Sequence, residues 1–369
     1  MKQIGLYLHV PFCKSKCPYC DFYSYGAKDE QKNEYTDVLK SRILSSYNTL
    51  QGIYPCKADT LYIGGGTPSV LGAKNLKSLV DASFSTFLTD TAEVTIECNP
   101  HGLTYDFFAE LFDCGVKRIS LGLQSANDEE RRILGRLSNR NQVENAVKNA
   151  QKAGFQNISL DLMLGIPKQT SKSLDDSIDF CLGLGVPHIS AYMLKLEENT
   201  FFYKNRQKYD FPDDDLTADL YLQLCNRLNE NGIFQYEISN FAKKGFESRH
   251  NLKYWHCEEY LGLGPSAHSF LNGKRFYFPR NTEDFLVGNS PIEDGTGGDF
   301  TEYAMLCLRL NEGLIQKKVL ERFNHKIPDD LIKKSQIFID NGFMVKDCNG
   351  LHLTQKGFLL SNTILAQIL

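Results

Sequence analysis

The chain has 369 residues, 42% of them hydrophobic and 23% charged, with a formal net charge of −4. That length predicts two to three domains with real cores, and the nearly balanced charge excludes a globally basic nucleic-acid binder while leaving room for a local basic patch. No apolar run approaches the roughly 18 residues of a membrane span, and strand-forming residues start so close to Met1 that no signal peptide is expected.

In chain order, Ile4 to Val10 reads as a first strand and runs directly into Cys13, Cys17 and Cys20, spaced C-x3-C-x2-C. The other eight of the eleven cysteines are scattered singly, which fits small buried hydrophobes in a reducing cytoplasm. Three thiols packed this closely in a reduced chain point to a metal or cluster rather than disulfides. Three ligands are one short of the four in a closed zinc site or an ordinary ferredoxin cluster, so one coordination position is left for an exchangeable group. A zinc site completed by His9 or by a distant ligand is the alternative.

Asp29 to Leu50 reads as a helix and Ala58 to Ile63 as a strand ending in Gly64-Gly65-Gly66-Thr67-Pro68. A phosphate-binding loop would need Gly-Lys-Ser/Thr to follow, and it does not. Residues 73–88 read as helix, Glu93 to Cys98 as strand, Tyr105 to Cys114 as helix and Val116 to Leu123 as strand. One polar, helix-forming stretch covers 128–153. Ile158 to Leu164, 172–184 and His188 to Leu194 then give strand, helix, strand. Six strand–loop–helix units predict a parallel sheet with helical crossovers, either open and doubly wound or a partial barrel. In both, loops at the strand C-termini share one face. The cysteines, the glycines, Glu97 and Gln124 fall at such ends, and Asp161 lies inside the fifth strand.

From about 200 to 300 the periodicity weakens, apart from a helix over 213–231. Beyond Phe300, helices near 302–311, 316–323 and 328–341 precede strand-like Phe343 to Lys346, a turn at Asn349-Gly350, Leu351 to Thr354 and a last helix. Helices followed by a hairpin predict a small winged-helix-like domain. Nothing in it is conspicuously basic, so no nucleic acid is expected.

The cysteine spacing followed by GGGTP resembles the radical S-adenosylmethionine (SAM) superfamily. The stretch Leu6 to Cys13 and the strings IECNP, SLGLQS and LDLMLGIPKQT are similar to its coproporphyrinogen oxidase-like branch. The resemblance implies a partial (β/α)6 TIM-like barrel over 1–200, an α+β extension over 201–300 and a winged-helix-like domain over 301–369. It also implies a 4Fe–4S cluster held by Cys13, Cys17 and Cys20, with SAM on the fourth iron. The branch's oxygen-independent oxidase has a further cysteine two residues after the third, where this chain has Phe22. Its heme-chaperone members share C-x3-C-x2-C-x-Phe and an H-N-x-x-Y-W motif, which stands here as His250 to Trp255.

Residue by residue, the resemblance assigns Tyr7 and Tyr19 to SAM contact, Gly65, Gly66 and Thr67 to its amino-acid end, and Glu97 to its polar side. Gln124, Arg136 and Asp161 match positions that hold a second SAM in the oxidase. An acid inside an apolar strand, as at Asp161, also needs a partner on general grounds. His250 is the expected axial ligand for heme, with Tyr254 and Trp255 as stacking surface; His256, Cys257 and His268 are read as structural. The implied function is heme delivery to an acceptor protein by a cytoplasmic monomer or homodimer, with only transient contact to a membrane-bound acceptor. Radical decarboxylation of coproporphyrinogen III is the competing activity, and a transcriptional regulator using the winged-helix end is the third.

Overall fold

In a computed structural model, which describes residues 2–369, six parallel strands stand side by side in sequence order. They are β1 (Lys2–Val10), β2 (Cys56–Gly65), β3 (Leu88–Cys98), β4 (Arg118–Gln124), β5 (Asn157–Leu164) and β6 (His188–Met193). The crossovers carry α1 (Asp29–Ile53), α2 (Ala73–Phe84), α3 (Tyr105–Asp113), α4 (Asp128–Ile133), α5 (Arg140–Lys152) and α6 (Ser171–Gly183). The unbroken strand order decides between the two expected architectures. A doubly wound sheet reverses its order at a switch point, whereas right-handed crossovers that always step the same way keep the helices on one face and curl the sheet. The result is a partial (β/α)6 barrel.

Period-two alternation sorts the strand side chains into two sets. Ile4, Leu6 and Leu8 of β1, Ile119 and Leu121 of β4 and Leu160 and Leu162 of β5 are fully buried. They share one apolar cluster with Leu76 and Val80 of α2, Leu111 of α3, Val147 of α5 and Ile178 of α6. Each such side chain contributes roughly 1.5–3 kcal/mol by leaving water. The intervening residues form the barrel's interior and are mostly polar: Tyr7 and His9, Thr60 and Tyr62, Arg118 and Ser120, Ser159 and Asp161. They bond to one another across strands, as Ser120 does to Asp161 at 2.9 Å.

After β6 the chain passes through α7 (Phe201–Lys204) and α8 (Asp214–Glu230). It then lengthens both edges of the sheet. β8 (Asn240–Ala242) adds antiparallel to β6 and β7 (Phe234–Glu237) adds antiparallel to β8 at the outer edge, and α9 (Arg249–Trp255) follows. β9 (Tyr260–Leu263) adds parallel to β1 and carries β10 (His268–Leu271), β11 (Lys274–Tyr277) and β12 (Ile292–Thr296) outward. The weak periodicity of 201–300 reflects strands this short. Beyond them, helices Phe300–Cys307, Gln316–Phe323 and Asp329–Asp340 precede the hairpin Met344–Lys346 and Gly350–Leu353, to which Leu314–Ile315 adds a short third strand. Backbone bonds from Asn311 to Tyr236 and from Ile238 to Arg309 tie this end to β7.

Two helix expectations are corrected. The stretch 128–153 is two helices, because Gly135 adopts φ +68° and Asn139 caps a new start, its side chain accepting from Gln142 N–H. The chain ends in Gln355–Leu359 and Ser361–Ile368 rather than one helix. Among the described residues no helix is long and apolar enough to cross a membrane.

Candidate functional site

The loop after β1 is tied down at its root. Cys13 N–H donates to Tyr25 O and Tyr25 N–H to Pro11 O, while the buried Phe12 ring packs edge-on against Tyr25 and Tyr35. Farther along, Phe202 N–H holds Pro18 O at 3.0 Å, so α7 braces the tip. Cys13, Cys17 and Cys20 are free thiols, partly buried, and all three line one cavity of about 560 Å³ at the barrel mouth. The Thr67 hydroxyl lies 3.3 Å from the Cys13 sulfur and the Arg136 guanidinium 3.8 Å from that of Cys17.

The zinc alternative would need at least three of these side chains on one ion. Among the described residues no three His, Cys, Asp or Glu side chains gather closely enough to share one metal ion. A cluster that takes one thiolate per iron sets its ligands farther apart. His9 is committed elsewhere: its Nδ1 bonds to the Tyr7 hydroxyl at 3.0 Å and its Nε2 to Tyr23 O at 3.2 Å. Burial lowers its pKa to about 4, with the Tyr23 carbonyl opposing, so it stays neutral.

The glycines after β2 are required by packing as much as by ligand access. A Cβ on Gly66 would stand 2.7 Å from Phe12 O and 3.0 Å from Val10 O, and one on Gly65, at φ +110°, would strike the His9 ring. Their absence lets Gly66 N–H reach Val10 O and Thr67 N–H reach Phe12 O, both at 2.8 Å. The β1–β2 ladder thereby continues into both loops, which is how Thr67 meets Cys13.

Beneath the cysteines two carboxylates face the cavity. Glu97 accepts from the Tyr62 hydroxyl at 2.7 Å and from Gly65 N–H at 3.2 Å. Burial pushes it up to about 7, the Tyr62 bond opposing and Asp161 adding to the rise. Asp161 has the partner its position demanded, the Ser120 hydroxyl, and burial lifts it to about 6 against that bond and the Arg118 charge. Gln124 is held at φ +69° where the β4–β5 register slips, and Arg136 donates to Gly122 O at 2.9 Å. Tyr19 packs near Phe202 and also lines the cavity. Of the residues assigned to SAM, only Tyr7 does not line it; it lies below, against Tyr62 and His250.

The H-N-x-x-Y-W residues sit on α9 at the opposite, N-terminal end of the barrel strands. Ser248 caps this helix through Asn251 N–H, and Glu93 of β3 accepts from the backbone N–H groups of Arg249 and His250. His250 is fully buried beneath Gly5, whose missing side chain makes room for its ring. Its Nδ1 bonds to Thr60 at 2.8 Å and its Nε2 to the Tyr254 hydroxyl at 2.7 Å. Burial, with Lys253 and Arg118 adding, lowers its pKa to about 3. His250, Tyr254 and Trp255 do not line the cavity, whereas Asn251 of the same motif does. His256 pairs with Glu312, Cys257 is buried, and His268 stacks on Tyr277.

The cavity also includes Cys98, Arg118, Ser190 and Tyr192, which sequence reasoning passed over. Arg118 is the most informative: it is buried, and its Nε and Nη1 atoms have no partner. The inward register of Arg118-Ile-Ser-Leu-Gly-Leu-Gln was the available signal, because a charge in that register points into the barrel.

Comparison with known proteins places this geometry in context. The family model of the radical SAM superfamily matches residues 7–181. The heme chaperone HemW of Bacillus subtilis is 33% identical over 375 residues, 98% of each chain. HemW of Lactococcus lactis is 34% identical, covering 100% of this chain and 98% of its own, and HemW of Escherichia coli 32%, covering 99% and 98%. The structure of coproporphyrinogen III oxidase (HemN) from Escherichia coli superposes with a TM-score of 0.85 at 21% identity, covering 100% of this chain and 90% of that one. This last likeness bears on the fold alone.

Proposed function

The chain belongs to the radical SAM superfamily and, within its coproporphyrinogen oxidase-like branch, to the HemW family, and from that premise we propose that it is a heme chaperone. In this reading it holds a 4Fe–4S cluster and SAM at the barrel mouth, binds heme as cargo and passes it to an acceptor protein. The observation that carries the choice is Phe22. It lines the cavity at the position where the branch's oxidase has its additional cysteine, and it carries no thiol to take that part.

The donor set fits the two cofactors. Three free thiols open onto one cavity, two of them beside hydrogen-bond donors that suit a thiolate, Thr67 and Arg136. Cys13, Cys17 and Cys20 would hold the cluster. Gly65, Gly66, Thr67, Glu97 and Tyr19 would receive SAM, with Gln124, Arg136 and Asp161 facing the same space. When bound, the cluster supplies an electron to the sulfonium of SAM. The protein's own part is to orient the nucleotide and to meet its cationic end with Glu97, whose carboxyl is already fixed by Tyr62 and Gly65. The closed hydrogen bonds around His250 favour a role for the motif beneath this site.

The test is anaerobic reconstitution followed by two assays on one sample. Hemin titration is expected to give stoichiometric binding. Incubation with dithionite, SAM and coproporphyrinogen III is expected to leave the propionates intact; appearance of vinyl groups would replace the chaperone with the decarboxylase.

A further inference from the structure

Large apolar side chains stand exposed around the cavity mouth. Phe22 is 66% exposed, and Leu137, Tyr192 and Met193 are 40 to 43% exposed, yet all four line the same cavity as the cysteines. Exposed apolar side chains scattered singly are ordinary, but a set ringing one concave site marks a binding surface. The open barrel explains where they lie. Phe22 belongs to the loop after β1 and Tyr192 and Met193 to the end of β6, the first and last of the six barrel strands. Leu137 comes from the α4–α5 connection between them. An apolar lip thus crosses a floor that is polar, carrying Glu97, Asp161 and Ser120.

Cations accompany the lip at both ends. Lys16 and Arg280 line the cavity on the Phe22 side and Lys195 on the Met193 side. Lys16 donates to Phe22 O at 2.8 Å, Arg280 meets Asp21 only at 3.4 Å, and Lys195 pairs with Glu197 at 2.7 Å. Lys195 and Arg280 are 80% and 59% exposed at the side chain, so an incoming carboxylate can compete for them. An apolar surface flanked by accessible positive charge complements a flat hydrophobic ligand bearing carboxylates.

Building on the chaperone reading, we propose that the cargo heme docks on this lip, with its macrocycle against Phe22, Leu137, Tyr192 and Met193 and its two propionates, which leave one edge of the ring side by side, toward Lys16 and Arg280. The His250 motif then serves the barrel floor and does not hold the iron. Cargo and SAM would share one mouth, cargo outside and nucleotide inside, so occupancy of one shields the other from solvent.

The experiment is hemin titration, followed by absorbance, of the full-length protein with its cluster reconstituted. Wild type is compared with Phe22→Ser/Met193→Ser, with Lys16→Glu/Arg280→Glu and with His250→Gln. The lip residues are exposed, so these variants should fold, and unchanged iron and sulfide content confirms it. The expected result is at least a tenfold loss of hemin affinity in the first variant, several-fold in the second and no more than twofold in His250→Gln. Unchanged affinity in both lip variants while wild type binds hemin would overturn the docking site alone, and if they also lost transfer to an acceptor, the lip would instead be a protein contact. Failure of wild type to bind hemin at all would overturn the chaperone reading with it.

Discussion

His250 lies 5.3 Å from Tyr62, ring centroid to ring centroid, with 29° between the planes, and Tyr62 in turn donates to Glu97. A residue expected to face heme is therefore two contacts below the carboxylate expected to face SAM. Replacing it should first be felt as lost stability. His250→Ala would empty a fully buried site and leave the Thr60 and Tyr254 hydroxyls unpaired, for a loss of about 2–4 kcal/mol in denaturant unfolding. The pH dependence carries a sign. The folded-state pKa is lowered to about 3, so between about 6.5 and 3 the unfolded chain binds more protons at this site, and stability falls as the solution is acidified. His250→Ala should show a shallower loss than wild type between about pH 7 and 5; parallel curves would contradict the buried, neutral imidazole.

Under the proposed assignment, Glu97 is expected to make SAM affinity pH-dependent. Its carboxyl, pushed up to about 7 by burial, is half protonated near neutrality in the free protein. A cationic ligand favours the ionised form, so binding expels a proton and affinity rises with pH, by at most about tenfold per unit below 7. Isothermal titration of the reconstituted protein between about pH 6 and 8 should show this rise, together with buffer-dependent heats. Glu97→Gln should bind more weakly at pH 8 and lose most of the slope. A slope retained in Glu97→Gln would move the linkage to Asp161.

The loop glycines separate by surroundings. Gly66→Ala forces a Cβ onto two backbone carbonyls of the cysteine loop's root, atoms that cannot swing away, and is expected to cost at least about 1–3 kcal/mol and to impair cluster retention. Gly183→Ala, in α6 with nothing within 4 Å of the new carbon, should be neutral or stabilising by about 0.5–1 kcal/mol. Thermal unfolding and iron content of the two variants test the contrast directly.

How much of this was legible depended on whether a residue's neighbours are local. The six strands were readable because each carries its own alternation, and Asp161 announced its need for a partner although Ser120, which supplies it, lies on another strand. The choice of barrel over open sheet was not readable from the units themselves, since it depends on strand order. The break at Gly135 was hidden inside a polar stretch with good helix formers on both sides. His250 shows the deeper limit. Its motif marked a special residue, but the partners that occupy both its nitrogens are Thr60, 190 positions earlier, and Tyr254, one helical turn later. Only the fold shows that the first of these is there.

Cys98 supplies the sharpest test of the three-thiol site, because it is a fourth cysteine lining the same cavity. Its location at the end of β3 puts it on a different wall from the loop that carries the other three. Burial, with Glu97 adding, raises its thiol well above the ordinary range, so it stays protonated and is a poor metal ligand. Cys98→Ala should therefore retain full iron, full sulfide and the spectral change on adding SAM. Cys13→Ala, Cys17→Ala and Cys20→Ala should each lose most of the cluster. Metal and sulfide analysis with electron paramagnetic resonance of the reduced samples distinguishes the two groups. If Cys98→Ala lost the cluster as well, the polypeptide would be filling all four iron positions, and SAM would have no iron to bind.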